Sequence, residues 1–260
     1  MDNNPLANRH IVITRPAGAS QRLATLVREA GGVPLLFPAI EILDPADPRA
    51  LDDAIARLGE FDLAIFISPS AVEKAMTRIT AQRALAVNLR SAAIGPGGAR
   101  ALERFGIRDV IVPPAHEHSD SESLLASGFM QEVRGKRVVI FRGDGGRELL
   151  AQTLTARGAR VESVSCYRRA KPALDAAPLL QAWARNAVAA VIVTSSEGLR
   201  NLCEMLGAPG TALLRNTLIA APHARIAKAA RALGMTRVVE SAAGDEALLA
   251  AVIRSLQVSA

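Results

Sequence analysis

The chain has 260 residues, 50% of them hydrophobic and 22% charged, with a formal charge of +6. That balance belongs to a folded globular protein of one large or two small domains and excludes a disordered chain. There is no apolar run of about 18 residues to span a bilayer and no signal-peptide apolar core in Met1–His10, and Cys166 and Cys203 have neither disulfide-framework nor metal-ligand spacing, so a cytoplasmic protein without a metal is expected.

Short apolar runs alternate with amphipathic helical patterns from end to end. Ile11–Thr14 predicts a first strand, and Ser20–Ala30 a helix. Val33–Glu41, interrupted by Pro34 and Pro38, reads as an edge or connecting strand. Strands over Leu63–Ile67, Ser91–Ile94 and Val110–Val112 alternate with helices over Val72–Ile79 and Ala99–Phe105. Val138–Phe141, a helix over Arg147–Arg157 and the alternating segment Arg160–Arg169 come next. Val188–Thr194, Thr217–Ala221 and Arg237–Val239 are separated by helices over Leu199–Leu206 and Ala224–Leu233. Gly31, Gly106, Gly158, Gly207 and Gly234 stand just past helical patterns, where a left-handed residue ends many helices. Strand–helix alternation predicts parallel sheets with helices on both faces.

The chain also repeats itself. Ile13-Thr14-Arg15-Pro16-Ala17-Gly18 is similar to Ile140-Phe141-Arg142-Gly143-Asp144-Gly145, and Ile67-Ser68-Pro69-Ser70 to Thr194-Ser195-Ser196-Glu197, both at one and the same spacing. Ile111-Val112 and Val238-Val239 share that spacing, while Ile94-Gly95-Pro96 and Ala220-Ala221-Pro222 fall one position short of it. A duplicated unit close to half the chain is too long for a solenoid and predicts two similar α/β domains. Val33–Glu41 and Arg160–Arg169 then read as two antiparallel crossings between them.

Only Lys74, Lys136, Lys171 and Lys228 are lysines among the 31 basic residues. Either a GC-rich genome or an anionic partner accounts for the arginines, whose planar fork suits carboxylates and phosphates. Aromatics are 3% and no basic run exceeds Arg168-Arg169, so nucleic acid is the weaker partner. In open parallel sheets ligands bind beyond the carboxyl ends of the strands. The segments there are Thr14–Gly18, Ser68–Ala71, Gly95–Gly98, Arg142–Gly146, Thr194–Gly198 and Ala221–His223. Each is a turn of small or hydroxylated residues entering a helix, so each presents backbone N–H groups with a helix dipole behind them. Singly such turns are ordinary caps; repeated between the halves they suggest a ligand with several carboxylates or phosphates. Dinucleotide, P-loop and Gly-x-Ser-x-Gly patterns are absent. His116 and His118 fall in a Pro-rich loop and read as solvated. Tyr167 is the only tyrosine, at the end of a crossing segment; it is either a proton donor to a leaving hydroxyl or an interdomain packing residue.

Taken together, Ile13–Pro16, Phe66–Val72, Ala93–Pro96, Ser119–Leu125, Arg142–Leu150, Cys166–Arg168 and Val193–Ser196 resemble, in order and spacing, the uroporphyrinogen-III synthase family. The resemblance implies an α/β fold of two similar domains, each a parallel sheet flanked by helices, joined by a two-stranded antiparallel linker. It implies a discontinuous first domain of 1–35 plus 172–260, a second of 42–163, and linker strands 36–41 and 164–171. The implied substrate is hydroxymethylbilane, a linear tetrapyrrole with eight carboxylates, closed with loss of water and inversion of ring D through a spirocyclic intermediate. No cofactor and no metal are implied. A monomer is expected, with a transient contact to hydroxymethylbilane synthase and none to nucleic acid or membrane. Tyr167 carries over as the catalytic residue. Thr14, Arg15, Ser68, Ser70, Ala71, Gly95, Gly97, Arg142, Gly143, Thr194, Ser195, Ser196, Pro222 and His223 are the expected substrate contacts. Where the family often carries threonine, this chain has Gly98 and Ala224; His223 is a candidate cationic substitute. A non-catalytic clamp, or a sensor for a tetrapyrrole or other polyanion, is the rival reading.

Overall fold

A computed structural model describes residues 4–82, 89–113, 120–146, 148–242 and 244–258. The chain opens with β1 (His10–Ile13), α1 (Gln21–Glu29) and β2 (Val33–Leu36), then β3 (Glu41–Leu43) and α2 (Arg49–Ala56). It continues through β4 (Leu63–Phe66), α3 (Pro69–Gln82), β5 (Arg90–Ala93), α4 (Pro96–Glu103) and β6 (Val110–Ile111). Next come α5 (Ser121–Ala126), α6 (Gly128–Gln131), β7 (Arg137–Gly143), α7 (Leu149–Ala156) and β8 (Arg160–Ala170). It ends with α8 (Ala177–Ala184), β9 (Val188–Ile192), α9 (Ser196–Asn216), β10 (Leu218–Ala221), α10 (Ala224–Ala232), β11 (Val238–Glu240) and α11 (Asp245–Gln257).

Two compact units result, one of Met1–Glu41 with Ala170–Ala260, the other of Ile42–Arg169. The first holds a sheet in the order β2-β1-β9-β10-β11, the second β3-β8-β7-β4-β5-β6. Setting β3 aside, the two orders correspond strand for strand. Their registers also match: His10 faces Val33 and Ile13 faces Leu36, and at the repeat spacing Arg137 faces Arg160 and Ile140 faces Ser163, all in parallel. One motif pair is realigned by the fold. Gly95 and His223 are the equivalent N-caps, of α4 and α10, so the Pro96–Pro222 match is not the structural one. The extended segments also resolve differently from two simple crossings. β2 is an edge strand parallel to β1, and no strand covers Phe37–Ile40. β8 runs unbroken, and through Tyr167 it belongs to the parallel sheet of the second unit.

Central strands read as continuous apolar runs because helices cover both faces. Along β1, Val12 points into a core with α8, α9 and α10, whereas Ile11 and Ile13 meet α1 and α11. Along β7, Val139 and Phe141 pack with α2, α3 and α4, whereas Val138 and Ile140 meet α5, α6 and α7. Phe66 and Phe141 stack with ring centroids 5.1 Å apart. At their carboxyl ends β4, β5, β7, β9 and β10 are each followed by a helix, α3, α4, α7, α9 and α10. Within α9 the backbone leaves helical geometry at Gly207 (φ 63°), so the first helical stretch ends there as expected, and a second stretch follows across the kink with Pro209 near its start.

Candidate functional site

In the second unit, Ser68 caps α3: its Oγ accepts the Ala71 N–H at 3.0 Å, and its carbonyl accepts the Val72 N–H at 3.1 Å. Pro69 has no N–H, so that of Ser70 is the first-turn donor left without a partner among the described residues. At α4 the Gly95 carbonyl accepts the N–H groups of Gly98 and Ala99, at 3.0 and 3.3 Å. Pro96 has none to offer, which leaves Gly97. The two helix starts are close, since a Cβ on Gly97 would stand 3.3 Å from Pro69 Cγ. Ala71, expected to bind substrate, spends its N–H on the cap. At Gly98, a Cβ would meet the Ala93 Cβ at 2.9 Å, so a threonine there needs Ala93 to give way.

Tyr167 is 1% exposed and is set by a β-bulge. Arg142 faces Ser165 but Gly143 faces Tyr167, so Cys166 is the extra residue. Strict alternation would send Cys166 and Tyr167 to opposite faces; the bulge buries both. The ring lies against Gly143, where a Cβ would fall 2.7 Å from two ring carbons. The Tyr167 hydroxyl lies 3.1 Å from Ser68 Oγ, and the Arg169 guanidinium donates to it at 3.2 Å. Burial pushes the Cys166 thiol up to about 12, so it is inert as a nucleophile near neutrality.

Arg142 turns back on its own loop. It is 8% exposed, donating to Glu148 at 2.6 Å and to the Gly145 carbonyl at 2.5 Å. The Asp144 N–H donates to the Tyr167 carbonyl at 2.9 Å, and the Asp144 carboxylate accepts the Arg169 N–H at 3.3 Å. The Gly143–Gly146 turn is therefore tied to the tyrosine strand from both sides.

The first unit repeats the rim. Ser195 Oγ accepts the Gly198 N–H at 2.9 Å, the counterpart of the Ser68 cap, and leaves the N–H groups of Ser196 and Glu197. His223 is the exposed N-cap of α10 with no side-chain cap bond, and it leaves those of Ala224 and Arg225. Arg225 is a backbone donor that sequence reasoning misses; the start of α10 is its signal. Pro222 is buried and Thr194 half-buried. Thr14 is buried as a tie, its hydroxyl donating to the Ile192 carbonyl at 2.9 Å. Arg15 pairs with Asp245 at 2.5 Å, both side chains mostly buried. At the place in the first repeat corresponding to Tyr167 stands Ile40, packed 3.6 Å from where a Gly198 Cβ would be. The two units thus share a rim of capped helix starts, but a phenol is present only in the second.

His116 and His118 lie outside the described residues. Among the described residues no group of three or more His, Cys, Asp or Glu side chains could hold a metal ion, and no helix is long and apolar enough to cross a membrane.

Residues 21–250 match the family profile described as uroporphyrinogen-III synthase HemD. The chain is 37% identical to the uroporphyrinogen-III synthase of Salmonella typhimurium over 245 residues, covering 93% of this chain and 98% of that protein. It is 36% identical to the Escherichia coli enzyme of the same name, with the same coverage. The fold is similar to that of uroporphyrinogen-III synthetase from Helicobacter pylori, with a TM-score of 0.59 at 16% identity over 93% of this chain and 97% of that one. A mutant Thermus thermophilus uroporphyrinogen III synthase gives a TM-score of 0.58 at 22% identity, covering 96% and 99%.

Proposed function

The chain belongs to the uroporphyrinogen-III synthase family, and from that premise we propose that it closes hydroxymethylbilane to uroporphyrinogen III, as a cyclising hydro-lyase of tetrapyrrole biosynthesis. The observation that carries the residue-level reading is the duplicated rim of capped helix starts with one buried tyrosine beside it. The carboxylate-binding donors we assign are backbone N–H groups left unpartnered among the described residues: those of Ser70 and Gly97 in the second unit, and, in the first unit taken by itself, those of Ser196, Glu197, Ala224 and Arg225. Exposed His223 adds a side-chain contact at the second rim. Arg15 joins only by leaving Asp245, and Arg142 shapes the turn at Gly143 rather than reaching substrate.

Holding a flexible octa-acid in a reactive curl supplies the largest share of catalysis, because it replaces a wide conformational search by one geometry. Tyr167 supplies the proton. The bond from the terminal methylene carbon to its hydroxyl breaks, the hydroxyl takes the phenolic proton and leaves as water, and the pyrrole nitrogen lone pair stabilises the remaining cation. The substituted α-carbon of ring D attacks that cationic methylene and gives the spirocyclic intermediate. The bond from the same ring carbon to the ring C methylene then breaks, and the free α-carbon of ring D captures the ring C cation so formed, which closes the macrocycle with ring D inverted. The proton that this α-carbon loses as ring D regains aromaticity restores the phenol. Ser68, fixed by the Ala71 N–H, orients the tyrosine hydroxyl. The protein works as a monomer in the cytoplasm and takes its unstable substrate from hydroxymethylbilane synthase in a transient encounter.

The test is a coupled assay that generates fresh hydroxymethylbilane and separates the product isomers. Unassisted closure gives isomer I, so a dominant isomer III is the expected result. Isomer I alone from folded protein overturns the proposal in favour of a non-catalytic clamp.

A further inference from the structure

Tyr167 is almost wholly buried, yet a proton donor must meet its substrate. The atoms around its hydroxyl show which neighbour can yield. Ser68 is held by its cap on α3, and Gly143 is backbone. Arg169, by contrast, is exposed and sits two residues along β8, with its guanidinium carbon 5.6 Å from the tyrosine ring centroid and Nη2 3.2 Å from the hydroxyl. Among the described residues its other hydrogen bond is from the main-chain N–H, to Asp144. Its guanidinium therefore spends its charge on a neutral phenol and a ring face. A carboxylate is a stronger partner, because both members are charged and two parallel N–H···O bonds form.

We propose that Arg169 is a carboxylate-operated cover over Tyr167: a substrate carboxylate draws the guanidinium off the phenol and so exposes the proton donor. This deepens the reading of Tyr167 given above and rests on it for its catalytic consequence. It makes Arg169 a positioning and specificity residue that couples recognition of an acidic side arm to release of the hydroxyl. Arg168 is the neighbouring control, since no contact joins it to the tyrosine hydroxyl among the described residues.

Because Tyr167 is the only tyrosine, nitration of the full-length protein by tetranitromethane reports on it alone. Removing the cover in Arg169→Met speeds nitration by about fivefold, the population factor that a surface cation–ring contact with one added hydrogen bond allows. Arg169→Lys, which keeps the charge without the fork, falls between, and Arg168→Met matches the unaltered protein. Tricarballylate, a small tricarboxylate, speeds nitration of the unaltered protein relative to chloride at equal ionic strength, but leaves Arg169→Met unchanged. With hydroxymethylbilane, Arg169→Met raises KM and Arg169→Lys recovers part of the loss. Equal nitration rates in the unaltered protein and Arg169→Met overturn the cover, as does indifference of the unaltered protein to tricarballylate. Turnover of Tyr167→Phe is read separately: a normal rate there removes the catalytic role of Tyr167 while the nitration result still decides the cover.

Discussion

Adding one methyl group at Gly143 tests whether the position of Tyr167 matters. The new Cβ falls 2.7 Å from two ring carbons and 3.0 Å from the hydroxyl oxygen, where carbon contacts settle at about 3.5–4.0 Å. The ring must retreat by about 1 Å, which carries its hydroxyl, now 3.1 Å from Ser68 Oγ, out of good hydrogen-bonding range. Overpacking of this kind costs about 1–3 kcal/mol, or about 3–10 °C in Tm for a chain of this size. Misplacement by about 1 Å lowers kcat by up to about 100-fold. Thermal melts followed by the absorbance of the one tyrosine, beside the isomer-resolving assay, measure both effects. The first unit suggests the control, since at the corresponding places in its repeat stand Pro16, which has a Cβ, and Ile40, which is aliphatic. Gly143→Ala/Tyr167→Ile therefore regains most of the lost Tm but not the turnover. A Gly143→Ala protein that melts and turns over like the unaltered one refutes the reasoning.

Tyr167→Phe is expected to lower kcat while costing only about 1 kcal/mol of stability for the lost hydroxyl contact, read by urea unfolding; unchanged kcat argues against proton donation. Ser68→Ala and Ser195→Ala each remove a cap and cost about 1 kcal/mol, but only Ser68→Ala is expected to slow turnover through Tyr167, so equal slowing by both counts against the asymmetry of the halves. Gly98→Thr is expected to destabilise the second unit because of the 2.9 Å approach to Ala93, and Ala93→Gly in the same chain to restore its melting temperature; a harmless single substitution would falsify the packing argument. Burial holds the Cys166 thiol up at about 12 against a reference of 9.0, so between those values the folded chain keeps a proton that the unfolded chain has lost. The Cys166 contribution is thus complete below about pH 9 and is withdrawn as pH rises towards 12; urea midpoints of Cys166→Ala and unaltered protein from pH 8 to 10 check this by a gap that shifts with pH.

The alternation of strands and helices was legible because the central strands are short apolar runs bounded by turn residues. β3 has only three residues, and α8 carries apolar side chains around much of its surface, with Leu179, Ala182 and Trp183 buried. Neither presents a clear period, and both are placed by packing. Ser68 and Ser195 were legible as a repeated pair, and Tyr167 as a lone residue type. What the pattern hid is the bulge at Cys166, since a two-residue period has no sign for an extra residue. Arg169 over the phenol was hidden with it. Thr14, Arg15 and Arg142 have the right residue types at the right strand ends, but their partners, Ile192, Asp245 and Glu148, depend on tertiary placement.

The interleaving of the two repeats also sets an order of birth on the ribosome. β1 and β2 are made first, yet β1 needs β9 beside it, and the Thr14–Ile192 bond spans 178 residues. At about 5–20 residues per second, the opening strand waits on the order of 10–40 s for its neighbour. The second unit, being continuous from Ile42 to Arg169, has all its strands before β9 is synthesised. Nascent chains stalled after α8 should therefore carry a protease-resistant second unit behind an open amino-terminal segment, the stage at which a chaperone has an unpaired apolar strand to hold.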